Sequence, residues 1–173
     1  MNSKLFSTIL VLLALGFSSQ AKEPVTVDFS SAELPEGWSG VKGDWTVVDG
    51  VLQGDEKESD QHAAVLMIPH KHTDSEISFR LRTGGVSMFG LSYNHPKGHL
   101  FRVSLSKGQV KLGMDKDKKN PESKPVTLQS EKFEAAPDGW VKVICKVKGD
   151  QAEVSFGDVS LKGTHPDLVK EKT

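Results

Sequence analysis

Side chains that can bind a ligand recur at alternate positions in the middle of the chain. Between Ser75 and Gly113, polar residues alternate with apolar ones in four successive runs, which is typical of half-buried β-strands. The polar positions of these runs are expected to face solvent together. They offer hydrogen bonds and charge to a ligand. The set consists of Glu76, Arg80, Arg82, Met88, Ser92, Arg102, Ser104 and Lys111.

Signals for other chemistries are weaker. His70, His72 and Asp74 alternate along one extended segment and could ligate zinc, but the six histidines lie in polar loops, so we predict no metal and no cofactor. The sequence has no Gly-rich phosphate loop and no Gly-x-Ser-x-Gly elbow, which argues against nucleotide enzymes and serine hydrolases. Cys145, the one cysteine, falls in the apolar phase of a strand pattern and is expected to be buried and unreactive.

The charge balance and the N-terminus indicate where the protein operates. The 173 residues include 22 Lys+Arg and 23 Asp+Glu, for a net charge of −1, which argues against a nucleic-acid partner. An apolar run, Leu5–Phe17, precedes the small residues of Ser19-Gln20-Ala21, and this pattern predicts a cleaved signal peptide over 1–21. The run is shorter than the roughly 20 residues that span a bilayer. We therefore expect a periplasmic or extracellular chain without a membrane anchor.

The elements that must position these side chains are β-strands. From Val25 onward the apolar residues have a period of two, and Gly, Asn, Asp or Pro interrupts them about every 8–12 residues. A single turn of helix is expected at His165–Lys170. We predict one all-β domain over 22–173, a sandwich of two antiparallel sheets. Its predicted strands include Val25–Phe29, a hairpin over Trp45–Gly54 turning at Asp49-Gly50, Ala63–Ile68, Trp140–Lys148, and a meander of adjacent strands formed by Ser75–Thr83, Val86–Asn94, His99–Ser106 and Val110–Leu112.

The order of these segments resembles that of one secreted family. The matching residues are Phe29, Gly37-Trp38, Trp45–Leu52, Ser75–Arg80 and Gly139–Val143. On these residues the chain resembles the 3-keto-disaccharide hydrolase domain, formerly a domain of unknown function, which is a jelly roll of the concanavalin A-like type. The likeness spans about residues 25 to 170 and implies the same two-sheet jelly roll here.

The resemblance also implies a concave sheet face that binds carbohydrate. Sugar hydroxyls need planar hydrogen-bonding partners, and the CH face of a pyranose stacks on an aromatic ring. Trp38, in the loop Pro35–Gly40, is predicted to be the exposed stacking residue, whereas Trp45 and Trp140 begin apolar strands and are predicted to pack in the core or cap an edge. The other predicted ligands are Glu76, Arg80, Arg82, Ser92, Arg102 and Lys111. A solvated face with weak cross-strand Glu–Arg pairs explains the same pattern.

Three functions are consistent with these features. The first is an exported, non-catalytic module that binds a carbohydrate or glycoconjugate, or another cell-surface partner. The second is an enzyme similar to the 3-keto-disaccharide hydrolases, and the third is a structural envelope protein without a small ligand. Glycoside hydrolysis ordinarily needs two carboxyls. Because Glu76 is the only acid in the solvent phase of the predicted meander, its partner would come from a loop, at Asp60 or Asp115.

Two departures from the family pattern affect these expectations. Gly84–Gly90 stands where family members carry an Asn-Ser-Gly stretch that ends in Phe-Arg, and the chain ends at Thr173, before two strands that usually close the fold. A sandwich without its C-terminal strands would be a fragment, be completed by another chain, or keep an open edge. We accordingly expect a monomer or an oligomer paired through sheet edges.

Overall fold

Alternating sequence produces alternating burial along most of the chain. The computed structural model describes residues 24–82, 85–134 and 139–173; the predicted signal peptide lies outside them. Within this part no helix is long and apolar enough to cross a membrane. The described strands are β1 (Ser39–Lys42), β2 (Asp44–Val48), β3 (Val51–Asp55), β4 (Val65–Met67), β5 (Ser75–Arg82), β6 (Met88–His95), β7 (Gly98–Ser106), β8 (Gln109–Met114), β9 (Val126–Lys132), β10 (Trp140–Lys148), β11 (Gln151–Phe156) and β12 (Val159–Thr164).

The described residues form two compact units, and one domain over 22–173 stays a prediction. The smaller unit comprises 24–36 and 42–64, and the larger unit comprises 37–41 and the described residues from 65 to 173. The segment Val25–Phe29 has no regular secondary structure, so the strand predicted there is absent. Its apolar and polar residues alternate, but alternation alone does not produce a strand, which also needs pairing with a neighbouring strand.

The smaller unit contains the predicted hairpin of β2 and β3. Its turn residues, Asp49 and Gly50, have φ angles of +52° and +73°, as a type I′ turn requires. The indole N–H of Trp45 donates to the carbonyl of Lys42 at 3.0 Å, and its ring lies so close to Gly54 that a Cβ there would come within 2.7 Å. Trp45 is therefore a packing residue, as its sequence position predicted.

The larger unit is a sandwich of two four-stranded antiparallel sheets. We call them the β5 sheet, with strand order β12-β11-β10-β5, and the β6 sheet, with strand order β6-β7-β8-β9. β1 and β4 pair separately as a two-stranded sheet. The prediction of an all-β sandwich is thus confirmed.

The predicted four-strand meander is correct for only three of its strands. β6, β7 and β8 are neighbours, but β5 pairs with β10 in the other sheet. An alternating strand presents the same pattern of apolar and polar residues whichever sheet it joins, so the pattern alone does not identify its partner. β5 still buries its apolar face between the sheets, with Ile77, Phe79 and Leu81 packed on the core.

Both sheets contribute to one apolar core. From β7 the residues Phe101 and Val103 are fully buried, and from β10 the residues Val143 and Cys145 are fully buried. Burying an aliphatic or aromatic side chain of this size contributes about 1.5–3 kcal/mol. The inward-facing side chains of each strand thus hold the sheets together, and the outward-facing side chains remain free for other roles.

The C-terminal segment packs against both sheets. A short 3-10 helix, Pro166–Val169, stands where the sequence predicted one helical turn, and its Leu168 is fully buried in the core. Beyond it, Lys172 exchanges backbone hydrogen bonds with His72 at 3.1 and 2.7 Å, and Thr173 donates to the carbonyl of Asn94 at 3.0 Å. The last residues therefore tie the segment before β5 to β6.

The side chain of Lys172 is buried beside this segment. Its ammonium donates to the carbonyls of Thr73, Leu168 and Lys170 at 2.6, 2.5 and 3.0 Å. Three acceptors satisfy the three N–H donors of a lysine. Burial lowers the pKa of Lys172, and the carboxylate of Asp74 partly opposes that shift.

Replacing Leu168 with Ala should destabilise the fold strongly. Removing a fully buried leucine leaves a cavity and costs about 2–5 kcal/mol of unfolding free energy, measurable by urea denaturation. The neighbouring Val169 is 54% exposed, so V169A is a matched control that should change stability by only about 0.5 kcal/mol or less. Equal stabilities of L168A and V169A would contradict this packing.

Two ionisable groups are kept neutral in the core. Burial raises the pKa of the Cys145 thiol to about 11 and raises the pKa of the Tyr93 hydroxyl far above its usual value. The ring of Tyr93 stacks on Phe101 with centroids 4.2 Å apart. Cys145 is fully buried, which confirms its expected burial.

These raised pKa values predict a loss of stability at alkaline pH. The thiol loses its proton at lower pH in the unfolded chain than in the folded one. The contribution of the protonated Cys145 thiol to the unfolding free energy is therefore complete below the unfolded pKa of about 9 and is lost as pH rises through about 11. Between these two pH values, the unfolding free energy of C145A should fall less steeply with pH than that of the wild type, by up to about 1.4 kcal/mol per pH unit. The comparison uses urea denaturation of both proteins at each pH, and identical slopes would contradict it.

Candidate functional site

The outward face of the β5 sheet carries aligned rows of polar side chains. β10 lies between β5 and β11; its outward residues Ile144 and Lys146 have cross-strand neighbours on both sides, whereas Trp140 and Lys142 are paired with β5 alone. Trp140 is opposite Arg82, and Lys142 is opposite Arg80. This register follows from the inward residues of β10, because successive side chains of a strand point to opposite faces.

One end of this face carries an aromatic ring surrounded by cations. The guanidinium carbons of Arg80 and Arg82 lie 5.7 and 5.4 Å from the centroid of the Trp140 ring, within the range of a cation–π contact. Trp140 remains 38% exposed. We call Arg80, Arg82, Trp140 and Lys142 the Trp–Arg cluster.

The other end of the same face carries two ion pairs. Lys146 forms an ion pair with Glu76 at 3.1 Å, and Lys162 forms one with Glu153 at 3.0 Å. These residues lie in one row across the sheet, since Lys146 is in register with both Glu76 and Glu153. Glu76, a predicted sugar ligand, is therefore engaged with Lys146.

The cations of the Trp–Arg cluster have no such partners. Among the residues that the structure describes, no carboxylate forms an ion pair with Arg80, Arg82 or Lys142. Over the same residues, their side chains make no hydrogen bond. The cluster thus combines an accessible ring with three positive charges whose donors are available to a ligand.

Three of the other predicted ligands lie on the β6 sheet. Ser92, Arg102 and Lys111 face outward on β6, β7 and β8, where Ser92 is in register with Arg102 and Lys111 with Ser104. The predicted set is therefore divided between two sheets. The single face expected for Arg80, Arg82 and Arg102 is wrong, because it required β5 to join the meander and β5 pairs with β10 instead.

Arg102 is held by an acid of its own sheet. Its Nε and one terminal nitrogen each lie 2.9 Å from an oxygen of Asp115, a bidentate geometry that fixes the guanidinium. The backbone N–H of Asp115 donates to the carbonyl of Leu100 at 2.9 Å. Arg102 thus anchors the start of the polar loop that follows β8.

Trp38 and Trp140 lie in surroundings that differ from those expected. Trp38, the predicted stacking residue, is half-buried just before β1 and belongs to neither four-stranded sheet. Trp140, predicted to pack in the core or cap an edge, faces outward. The sequence did contain a signal for this, because Trp140 and Lys142 alternate with the apolar residues Val141 and Val143.

Within the larger unit, Glu76 and Asp115, two of the acids named for glycoside hydrolysis, lie on different sheets. Glu76 is on the β5 sheet, whereas Asp115 follows β8 of the β6 sheet and binds Arg102. Asp60 lies in the smaller unit, where its carboxylate accepts the backbone N–H of Gly43 at 2.6 Å. No group of three or more His, Cys, Asp or Glu residues in the described ranges is arranged to hold a metal ion.

The Arg102–Asp115 contact should contribute to stability. In a double-mutant cycle of R102A, D115A and the double variant, urea denaturation should give a coupling energy of about 1 kcal/mol, at the upper end for partly exposed pairs because the contact is bidentate. Additive effects of the two substitutions would show that the pair contributes no interaction energy.

Comparisons with known proteins support the fold. No protein-family model matches the sequence, and no curated protein matches it significantly. Among solved structures, the chain is similar to the carbohydrate-binding module CBM66 from Bacillus subtilis, with a TM-score of 0.56 and 12% identity over 75% of this chain and 80% of that chain. At this level of identity, the likeness shows that the two chains share a β-sandwich fold.

Proposed function

We propose that this chain is an exported, non-catalytic carbohydrate-binding module whose binding site is the Trp–Arg cluster. The observation that carries the proposal is the outward ring of Trp140 with two guanidinium groups beside it. It supplies in one place the aromatic surface and the planar donors that a sugar site needs. The solved structure with a similar fold is, by its name, a carbohydrate-binding module.

Each part of the cluster has a distinct role in this proposal. The exposed part of the Trp140 ring contacts the CH face of a sugar ring, and the N–H groups of Arg80 and Arg82 donate to its hydroxyl oxygens. Because both arginines lie against the indole, their rotamers are partly fixed before a ligand arrives. Such ordering lowers the entropic cost of binding.

Binding without catalysis is supported by the acids of the same face. Glu76 and Glu153 are each paired with a lysine, and the described part of the cluster contains no carboxyl. A glycosidase needs an acid and a second carboxyl on either side of the scissile bond. Export is the expectation that the apolar run Leu5–Phe17 provides, and it would place the module in the periplasm or outside the cell.

Replacing Trp140 with Ala should remove most of the binding. Affinity electrophoresis in gels that contain a panel of neutral and acidic polysaccharides would identify a ligand for the wild-type protein. W140A should weaken that binding about tenfold or more, because an aromatic contact contributes about 1.5 kcal/mol, whereas W140F should retain part of it. Thermal denaturation would confirm that each variant folds.

Met88 offers the matched control on the opposite sheet. It faces outward on β6 and is 58% exposed, so M88A removes apolar surface from the other face without touching the cluster. Loss of binding in M88A but not in W140A would contradict the proposed site. Release of sugar from 3-keto-glycosides by the purified protein would instead favour a hydrolase like the family that the sequence resembles, and absence of both binding and turnover would favour a structural role.

A further inference from the structure

The charge of the Trp–Arg cluster differs from that of the rest of its sheet face. Lys146 and Lys162 each have a carboxylate partner. Among the described residues Arg80, Arg82 and Lys142 have none, and Lys148 at the far end of β10 is a single further unpaired cation. The chain is close to neutral as a whole, with 22 basic and 23 acidic residues. A local excess of three positive charges is therefore a property of this place on the surface.

This excess is unfavourable for the free protein. Arg80 and Lys142 are directly opposite each other across β5 and β10, and like charges in such a cross-strand pair destabilise a sheet. A glutamate at position 142 would place a negative charge opposite Arg80, as Glu76 does opposite Lys146. Retaining three like charges at one end of the face makes sense if a ligand provides the opposite charge.

We propose that the Trp–Arg cluster binds acidic saccharides, with a sugar carboxylate held by the two guanidinium groups while its ring stacks on Trp140. The proposal rests on the carbohydrate-binding function proposed above and specifies the class of sugar. A uronic acid unit combines an apolar ring face and a carboxylate, which are the two features that the cluster complements.

The geometry of the arginines fits this ligand. A guanidinium that lies against an aromatic ring still has its N–H donors directed outward in its own plane, in the fork that matches a carboxylate. Arg80 and Arg82 both lie within 6 Å of one ring centroid, at 5.7 and 5.4 Å. Two forks are thus held beside one platform, and Lys142 adds a third positive charge in register with Arg80.

Nucleic acid would also offer anions and stackable rings, but the surface fits it less well. Its affinity depends on neutralising many phosphates along an extended track. Here the next basic residues on the face, Lys146 and Lys162, are paired with acids, and the unpaired Lys148 lies at the far end of β10. A compact group of three cations matches a short acidic unit better than a polyphosphate backbone.

The experiment compares each acidic polymer with its own neutral form. Polygalacturonate, alginate and hyaluronan would be tested by affinity electrophoresis beside the same polymers after methyl esterification of the carboxyls. At least one acid form should bind about tenfold or more tightly than its ester. Raising NaCl from about 50 to about 500 mM should weaken that preference, since exposed charges are screened.

Variants identify the cations responsible. R82Q should weaken binding of the acid form about tenfold. It should weaken binding of the ester less, because the ester loses only a hydrogen bond between Arg82 and a neutral oxygen. K148Q is the matched control, because Lys148 is exposed on the same face of β10, about 26 Å along the strand from Trp140, and loses the same charge. It should leave both affinities within about twofold.

The outcomes separate this inference from the proposed function. If acids and esters bind equally and W140A loses both, the preference for acids is overturned and the carbohydrate-binding function stands. Binding to none of the neutral or acidic polymers would overturn both. Tighter binding of a sulfated glycan such as chondroitin sulfate than of hyaluronan would assign the anion to sulfate. Binding of an oligothymidylate as tight as that of the acidic saccharide would indicate nucleic acid. Either result would overturn the carboxylate assignment.

Discussion

The pairing of β5 with β10 is the constraint on which both the core and the proposed site depend. Its register places Phe79 opposite Val143 on the inward face and Arg82 opposite Trp140 on the outward face. A slip of one residue would exchange these faces and bring a guanidinium into an apolar interior. The burial of the inward residues therefore fixes where the ring and the cations lie outside.

The outer face of this sheet illustrates how one scaffold supports two kinds of surface. In the row around Lys146, alternating charges satisfy one another and add modestly to stability. In the row of Arg80 and Lys142, the charges repel each other, and the exposed indole of Trp140 provides no burial comparable to that of the core. Stability is supplied by the inward phase and by the C-terminal segment, which frees this end of the face for recognition.

The sequence predicts the parts of the fold that depend on local pattern. The β2–β3 hairpin follows from the conformational freedom of Asp49-Gly50, and the strands of the sandwich follow from their alternation. The partner of β5 could not be predicted, because every half-buried strand carries the same alternation whichever neighbours it has. Nor does the sequence show that Arg102 is held by Asp115, since that contact depends on where the loop after β8 begins. The position of Trp140 at the start of an apolar strand predicts packing in the core, whereas the phase that it shares with Lys142 predicts the outward orientation that the structure has.

The most direct test of the account is to observe the three tryptophan indoles while a saccharide binds. A titration of the labelled protein with a polysaccharide-derived oligomer that it retains, followed in the proton–nitrogen spectrum, would give one side-chain signal each for Trp38, Trp45 and Trp140, assigned through the W140F spectrum. The account predicts that the Trp140 signal shifts most strongly and saturates with the binding curve. A shift confined to Trp38, or saturable binding that leaves the Trp140 signal in place, would contradict it.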